Sequence, residues 1–188
     1  MSMDTTPVSA RASALAEVSD EFAQEWLACT LRTYPEPTGG LLREAGSPFR
    51  NPVGSTLRAA LVGLTRELFG GFDRQRVTAL IDTVVRLRAV QNFPPAEVTE
   101  FVPLARRAVN RLVEAGTPRL GAGTLDVVSA RIDDLLPIAD ECLARCRDDL
   151  RAIGERAARR RVFVSERIHA RAAVRADDGP PAFRGETP

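Results

Sequence analysis

Val53, Leu57, Leu61, Leu64 and Leu68 recur at spacings of four, four, three and four, which places them on one face of an α-helix and on no face of a strand. The stripe opens with Asn51-Pro52-Val53-Gly54, where Asn51 suits an N-cap and Pro52 a first helical position whose missing N–H costs nothing. Gly70-Gly71 closes it, and Asp73 caps a following helix with Val77, Leu80, Ile81, Val84, Leu87 and Val90 as its apolar face. Phe93-Pro94-Pro95 breaks the chain again, and Val98, Phe101, Val102, Ala105, Val109 and Leu112 resume the pattern. Pro103 lies inside that run, so a kink is expected near Thr99 to Pro103. After a loop from Gly116 to Gly123, a last helix starting at Thr124 carries Leu125, Val128, Ile132, Leu135, Ala139, Cys142 and Cys146, with Pro137 off the seam and expected to bend it.

Upstream, Phe22, Trp26, Cys29 and Thr30 share a face of a first helix over about residues 9 to 33, with Ser19 a candidate cap for a restart. Tyr34-Pro35-Glu36-Pro37 ends it, and a helical turn is expected around Leu41 to Glu44. No stretch alternates with the period of a strand. The reading is all-α, a single bundle of five or six helices: a partly helical segment over 1–18, the helical domain over 19–165, and over 166–188 a basic and then disordered tail.

Composition narrows the function classes. A chain of 188 residues suits one domain, and a formal charge of +1 gives no global pull toward nucleic acid or membrane. All basic residues but His169 are arginine. Three cysteines are an odd set for a disulfide framework, no apolar run approaches a membrane span, and no signal peptide is evident, so a cytoplasmic protein is expected.

Candidate chemistry is sparse. Cys142 and Cys146, one turn apart, share a face that could serve a metal or redox group, yet they sit on the seam where small apolar side chains are wanted and no further ligands accompany them. A redox or cofactor accessory built on this pair is the alternative function. His169, the one histidine, falls in a weakly patterned basic segment and reads as a surface residue. With no nucleophile motif and no phosphate loop, neither an enzyme nor a bound cofactor or metal is expected. Arg156, Arg159, Arg160 and Arg161 are interleaved with Asp148, Asp149 and Glu155, which favours a solvated or protein-docking face over a nucleic-acid site.

Several blocks carry a resemblance: Trp26, Thr33-Tyr34-Pro35-Glu36, Pro48-Phe49-Arg50-Asn51-Pro52-Val53-Gly54, Leu87-Arg88-Ala89-Val90-Gln91-Asn92-Phe93-Pro94-Pro95, and Glu141-Cys142 through Cys146-Arg147. In this order, over about residues 20 to 160, the chain resembles the RsbRD N-terminal domain family. The resemblance implies a globin-related sensory module without obligatory haem, usually dimeric, which in longer relatives precedes a STAS domain in a stress-signalling complex controlling a switch kinase. It marks Trp26, Tyr34, Asn51, Pro52, Gly54, Arg88, Gln91 and Phe93 as motif residues. The chain ends soon after the last helix, so no STAS output domain is expected. A homodimer is expected, with a STAS-domain or switch-kinase protein as partner. The interface candidates are Leu125, Val128, Ile132 and Leu135 on the last helix, with Arg156, Arg159 and Arg160.

Overall fold

The computed structural model describes residues 6–36, 38–43, 50–116 and 122–177. Among these the chain is helical throughout its regular structure, in seven helices: α1 (Thr6–Leu31), α2 (Thr38–Arg43), α3 (Pro52–Phe69), α4 (Arg74–Val90), α5 (Pro95–Val98), α6 (Phe101–Glu114) and α7 (Ala122–Asp177). The all-α reading holds. Two compact units divide the chain, Met1–Cys146 and Arg147–Pro188.

In the first unit α1 packs against α3 and α6, and α3 packs against α4. Phe22, Trp26, Leu57, Leu61, Leu64, Leu68, Val77, Ile81, Phe101, Ala105 and Leu135 meet in one core. Trp26 is wholly buried and donates its indole N–H to the Phe101 carbonyl (2.7 Å), which ties the C-terminal part of α1 to the start of α6. Its ring stacks near Phe101 and tilts against Phe22.

The signals at α3 and α4 act as the sequence implies. Asn51 Oδ1 accepts from Gly54 N (2.8 Å) and its amide donates to the Leu42 carbonyl (3.1 Å), so one side chain caps α3 and holds the end of α2. A Cβ at Gly54 would lie 2.5 Å from that amide nitrogen, which explains the glycine. Asp73 Oδ1 accepts from Gln75 N and Arg76 N at the start of α4.

Elsewhere the structure departs from expectation. α1 runs without a break through Ser19, the candidate restart, because nothing around that residue interrupts the helical ladder. The expected kink at Pro103 is a full break: α5 ends at Val98 and α6 restarts at Phe101, which puts Pro103 in the first turn of α6, where its missing N–H is harmless. With the expected short turn present as α2, this break takes the helix count from six to seven among the described residues. α4 is rotated from its expected face: Val90 is 74% exposed, and Arg88 takes the inward position. α7 starts at Ala122, two residues before the expected Thr124, and runs to Asp177. The expected disordered tail beyond Asp177 lies outside the described residues.

Candidate functional site

α4 buries Val77, Ile81, Val84, Val85 and Arg88, a stripe in which the guanidinium takes the place of a core side chain. Its surroundings come from turns. Asn92 adopts φ 62°, a left-handed conformation asparagine tolerates, and Phe93 N then donates back to the Arg88 carbonyl (3.2 Å). That reversal sets the Phe93 ring 4.0 Å from the Arg88 guanidinium carbon. At the end of α1, Tyr34 N donates to the Leu31 carbonyl (3.3 Å), and the Tyr34 ring meets Phe93 edge-on at 4.8 Å.

Arg88 links these pieces. Nη1 donates to Thr33 Oγ1 (3.1 Å), Nη2 donates to the Glu97 carbonyl (2.9 Å), and the Tyr34 ring centre lies 5.3 Å away. One side chain thus joins the end of α1, the end of α4, and α5. No described carboxylate forms an ion pair with it. Burying a lone cation costs several kcal/mol; two charge-assisted hydrogen bonds at about 1.5–3 kcal/mol each, with cation–π contacts of about 2 kcal/mol when desolvated, are of the size needed to offset that. Arg88 Nε, the Tyr34 hydroxyl and Gln91 Oε1 are buried without hydrogen-bond partners among the described residues. Burial draws the Arg88 pKa down against the opposing pull of Tyr34, Glu100 and Glu97, and pushes the Tyr34 hydroxyl up against the opposing guanidinium.

A second feature lies on the outer side of α1. An open groove of about 1030 Å³ is lined by Glu21, Leu27, Ala28 and Leu31 of α1, Arg58 of α3, and Arg111, Leu112 and Ala115 at the end of α6, among others. Glu25 Oε1 accepts from Arg32, from Arg111 and from the Cys29 thiol. Burial alone would raise the Glu25 pKa, but hydrogen bonds from Cys29, Arg111 and Arg32 together hold it below the usual range. The Cys29 thiol is pushed up, first by burial and then by Glu25.

The expected interface residues separate. Val128, Ile132 and Leu135 are buried and Leu125 packs against the same core, so these side chains are already covered by the bundle and are not available as an open dimer seam. Arg156, Arg159 and Arg160 belong to the second unit and are exposed. Cys142 and Cys146 are buried free thiols in the core; Cys142 donates to the Thr78 carbonyl (3.8 Å) and accepts from Arg145, and burial raises its pKa against the pull of that arginine. No three His, Cys, Asp or Glu among the described residues are placed to hold a metal. The His169 side chain lies outside the described residues.

Tyr34, Arg88, Gln91 and Phe93 therefore gather at one junction, with Asn51, Pro52 and Gly54 forming the α3 cap and Trp26 the α1–α6 tie. A family model for the RsbT co-antagonist protein rsbRD N-terminal domain matches residues 20–163. The chain belongs to the RsbRD N-terminal domain family. No curated protein and no solved structure matches it. Membership makes the chain a regulatory domain of the sensor type, associated with stress signalling. The RsbRD match takes in every helix from the body of α1 into α7, hence both the Arg88 junction and the groove. No described helix is long and apolar enough to cross a membrane.

Reading the sequence alone misses Arg88 as a buried group, because an arginine between Leu87 and Val90 looks like the polar edge of an apolar face. The signal that could have found it is Phe93-Pro94-Pro95 five residues on: a helix ending there must turn an aromatic ring back toward its last turn. The groove has no signature in the sequence, since its walls come from helices far apart in the chain.

Proposed function

We propose that this RsbRD N-terminal domain is a non-enzymatic sensor module that acts as a homodimer through contact with another protein, a STAS-domain protein or a switch kinase of a stress-signalling system. The observation that carries the reading is the family match over residues 20–163. The motif residues support it. They build caps and an inter-helix junction, an arrangement that fixes where helices sit and does no bond chemistry. Arg156, Arg159 and Arg160 are partner-facing in this reading, as exposed guanidiniums suited to an acidic protein surface.

The test is affinity purification of the tagged chain from its own cells, with mass spectrometry of co-purifying proteins, an absorption spectrum of the eluate, and sedimentation equilibrium of the purified chain. Recovery of a STAS-domain protein or a switch kinase in a colourless sample, with a dimer mass for the purified chain, is the expected result. A coloured eluate, or a redox enzyme as the principal partner, would overturn it in favour of an accessory role for Cys142 and Cys146.

A further inference from the structure

Arg88 carries a full positive charge into the core and leaves part of its hydrogen-bonding edge unused. The side chain is 0% exposed. Its two bonds go to neutral acceptors, Thr33 Oγ1 and the Glu97 carbonyl, and the Thr33 hydroxyl donates its own hydrogen to the Thr30 carbonyl (2.8 Å). The carboxylates of Glu97 and Glu100 act on Arg88 through their charge, and among the described residues neither bonds to it. The two bonds and the ring contacts offset the cost of burial, but the charge has no counter-charge in contact with it and Nε–H has no acceptor.

The other unpaired groups border the same guanidinium. Tyr34 is 4% exposed and its ring centre lies 5.3 Å from the guanidinium carbon. Its hydroxyl is close enough for the guanidinium to oppose the rise in its pKa, yet it makes no hydrogen bond among the described residues. Gln91 follows Arg88 by three residues, at the C-cap of α4, which sets the two on one face. Its buried Oε1 is also unpaired. A primary amide turned about its last bond presents N–H₂ where the oxygen stood, at the same shape. The rings of Phe93 and Tyr34 pack against the guanidinium, so the Nε edge is the free approach, and arginine takes planar anions along such an edge.

These features specify a ligand class. A neutral acceptor would leave the buried charge in place, and a divalent anion would bury a charge of the opposite sign. We propose that the Arg88 junction binds one small monovalent anion, of the size of chloride, nitrate or formate, held by Arg88 Nε–H and the Tyr34 hydroxyl with the Gln91 amide turned to donate. Arg88 comes from α4 and Tyr34 from the turn after α1, so the bound anion favours the arrangement in which these two ends meet. The inference stands apart from the partner-binding reading above.

The test is thermal unfolding of the full chain at constant ionic strength, with potassium gluconate replaced stepwise by potassium chloride, nitrate or formate. Gluconate is too bulky for a buried junction, and the three small anions separate a halide from a planar oxyanion and a carboxylate. Salts also shift stability through the whole surface, so the readout is the difference between wild type and variants. The expected result is a saturable rise of the wild-type midpoint by about 4 °C with at least one small anion, cut to below about 1 °C in Tyr34→Phe and absent in Arg88→Met. Tyr34→Phe removes one hydroxyl and keeps the ring, so it carries the comparison if Arg88→Met does not fold. Arg159→Ala, an exposed control, keeps the wild-type rise. The same shift in all four proteins, no saturable shift in any, or a crystal structure grown in the most effective salt with only water beside Nε overturns the proposal.

Discussion

α7 contains two stretches that share a composition of Leu, Ile, Ala, Arg and Asp yet differ in fate. From Val128 to Cys146 the apolar positions Val128, Ile132, Leu135, Ile138, Ala139, Cys142 and Cys146 are buried among α1, α3, α4 and α6 side chains. From Arg147 to Phe163 every side chain is exposed except half-buried Ala152, with Ile153 at 58% and Phe163 at 57%. A repeating apolar spacing thus announces a helix and a face, while whether that face is covered depends on what else the chain brings to it. The seam expected at a dimer contact is used up inside the bundle, and the arginines expected beside it belong to the exposed stretch.

The sharpest way to break this contrast is paired truncation. Leu135→Ala empties a fully buried site and is expected to cost about 2–5 kcal/mol, whereas Ile153→Ala is expected to change the same transition by less than about 0.5 kcal/mol. Urea unfolding followed by the fluorescence of Trp26, the single tryptophan and wholly buried, reads both. Equal effects would mean that the exposed stretch is a structural part of the bundle.

Next comes Arg88, the buried cation against which the exposed arginines of the second unit are set. Arg88→Ala is expected to cost about 3 kcal/mol, as the loss of a partner in a buried polar network does. Arg88→Met, which keeps length without charge, should cost clearly less, and Arg159→Ala should leave the unfolding midpoint where it is. A methionine variant as weak as the alanine one would show that the hydrogen bonds to Thr33 and Glu97, rather than the filling of space between Tyr34 and Phe93, hold the junction.

Gly54→Ala forces a methyl group against the Asn51 side chain, 2.5 Å from its amide nitrogen. A loss of about 1–2 kcal/mol is expected in the same experiment. Gly154→Ala in the second unit meets nothing within 4 Å and should be neutral or raise helicity by circular dichroism.

The smallest effect is that of acid on Glu25. Its pKa is lowered in the folded state, so the stability it contributes is present above the unfolded value, near the ordinary carboxylate pKa, and is lost as pH falls through the folded value. Glu25→Gln should flatten the acid limb of a stability–pH profile measured from about pH 5 downward. A profile unchanged by the substitution would show that solvent screens the cluster with Arg32 and Arg111.

The helices were legible wherever cap, stripe and breaker agreed. Asn51-Pro52 and Gly70-Gly71 bracket α3 to within a residue, since both signals act on the local backbone. Pro103 was legible as a disturbance but not as a helix start, because whether a proline kinks or begins a helix depends on the chain before it, here the turn at Thr99 and Glu100. Arg88 and Val90 exchange their expected places because a helix rotates to suit its neighbours, and two aromatic rings can make a cation acceptable inside. The family-motif residues could be picked out, but their meeting at one junction required α1, α4 and α5 to be placed together.

The Arg88 junction has one more consequence. Its members are a guanidinium that stays protonated at any pH a cell meets, two aromatic rings, a threonine hydroxyl and a peptide carbonyl, none of which gains or loses a proton or an electron under ordinary conditions. The groups that make the join between α1, α4 and α5 thus neither titrate nor oxidise in that range, and the carboxylates of Glu97 and Glu100 act on Arg88 only through their charge. A rearrangement of the junction therefore requires α1, α4 or α5 to move.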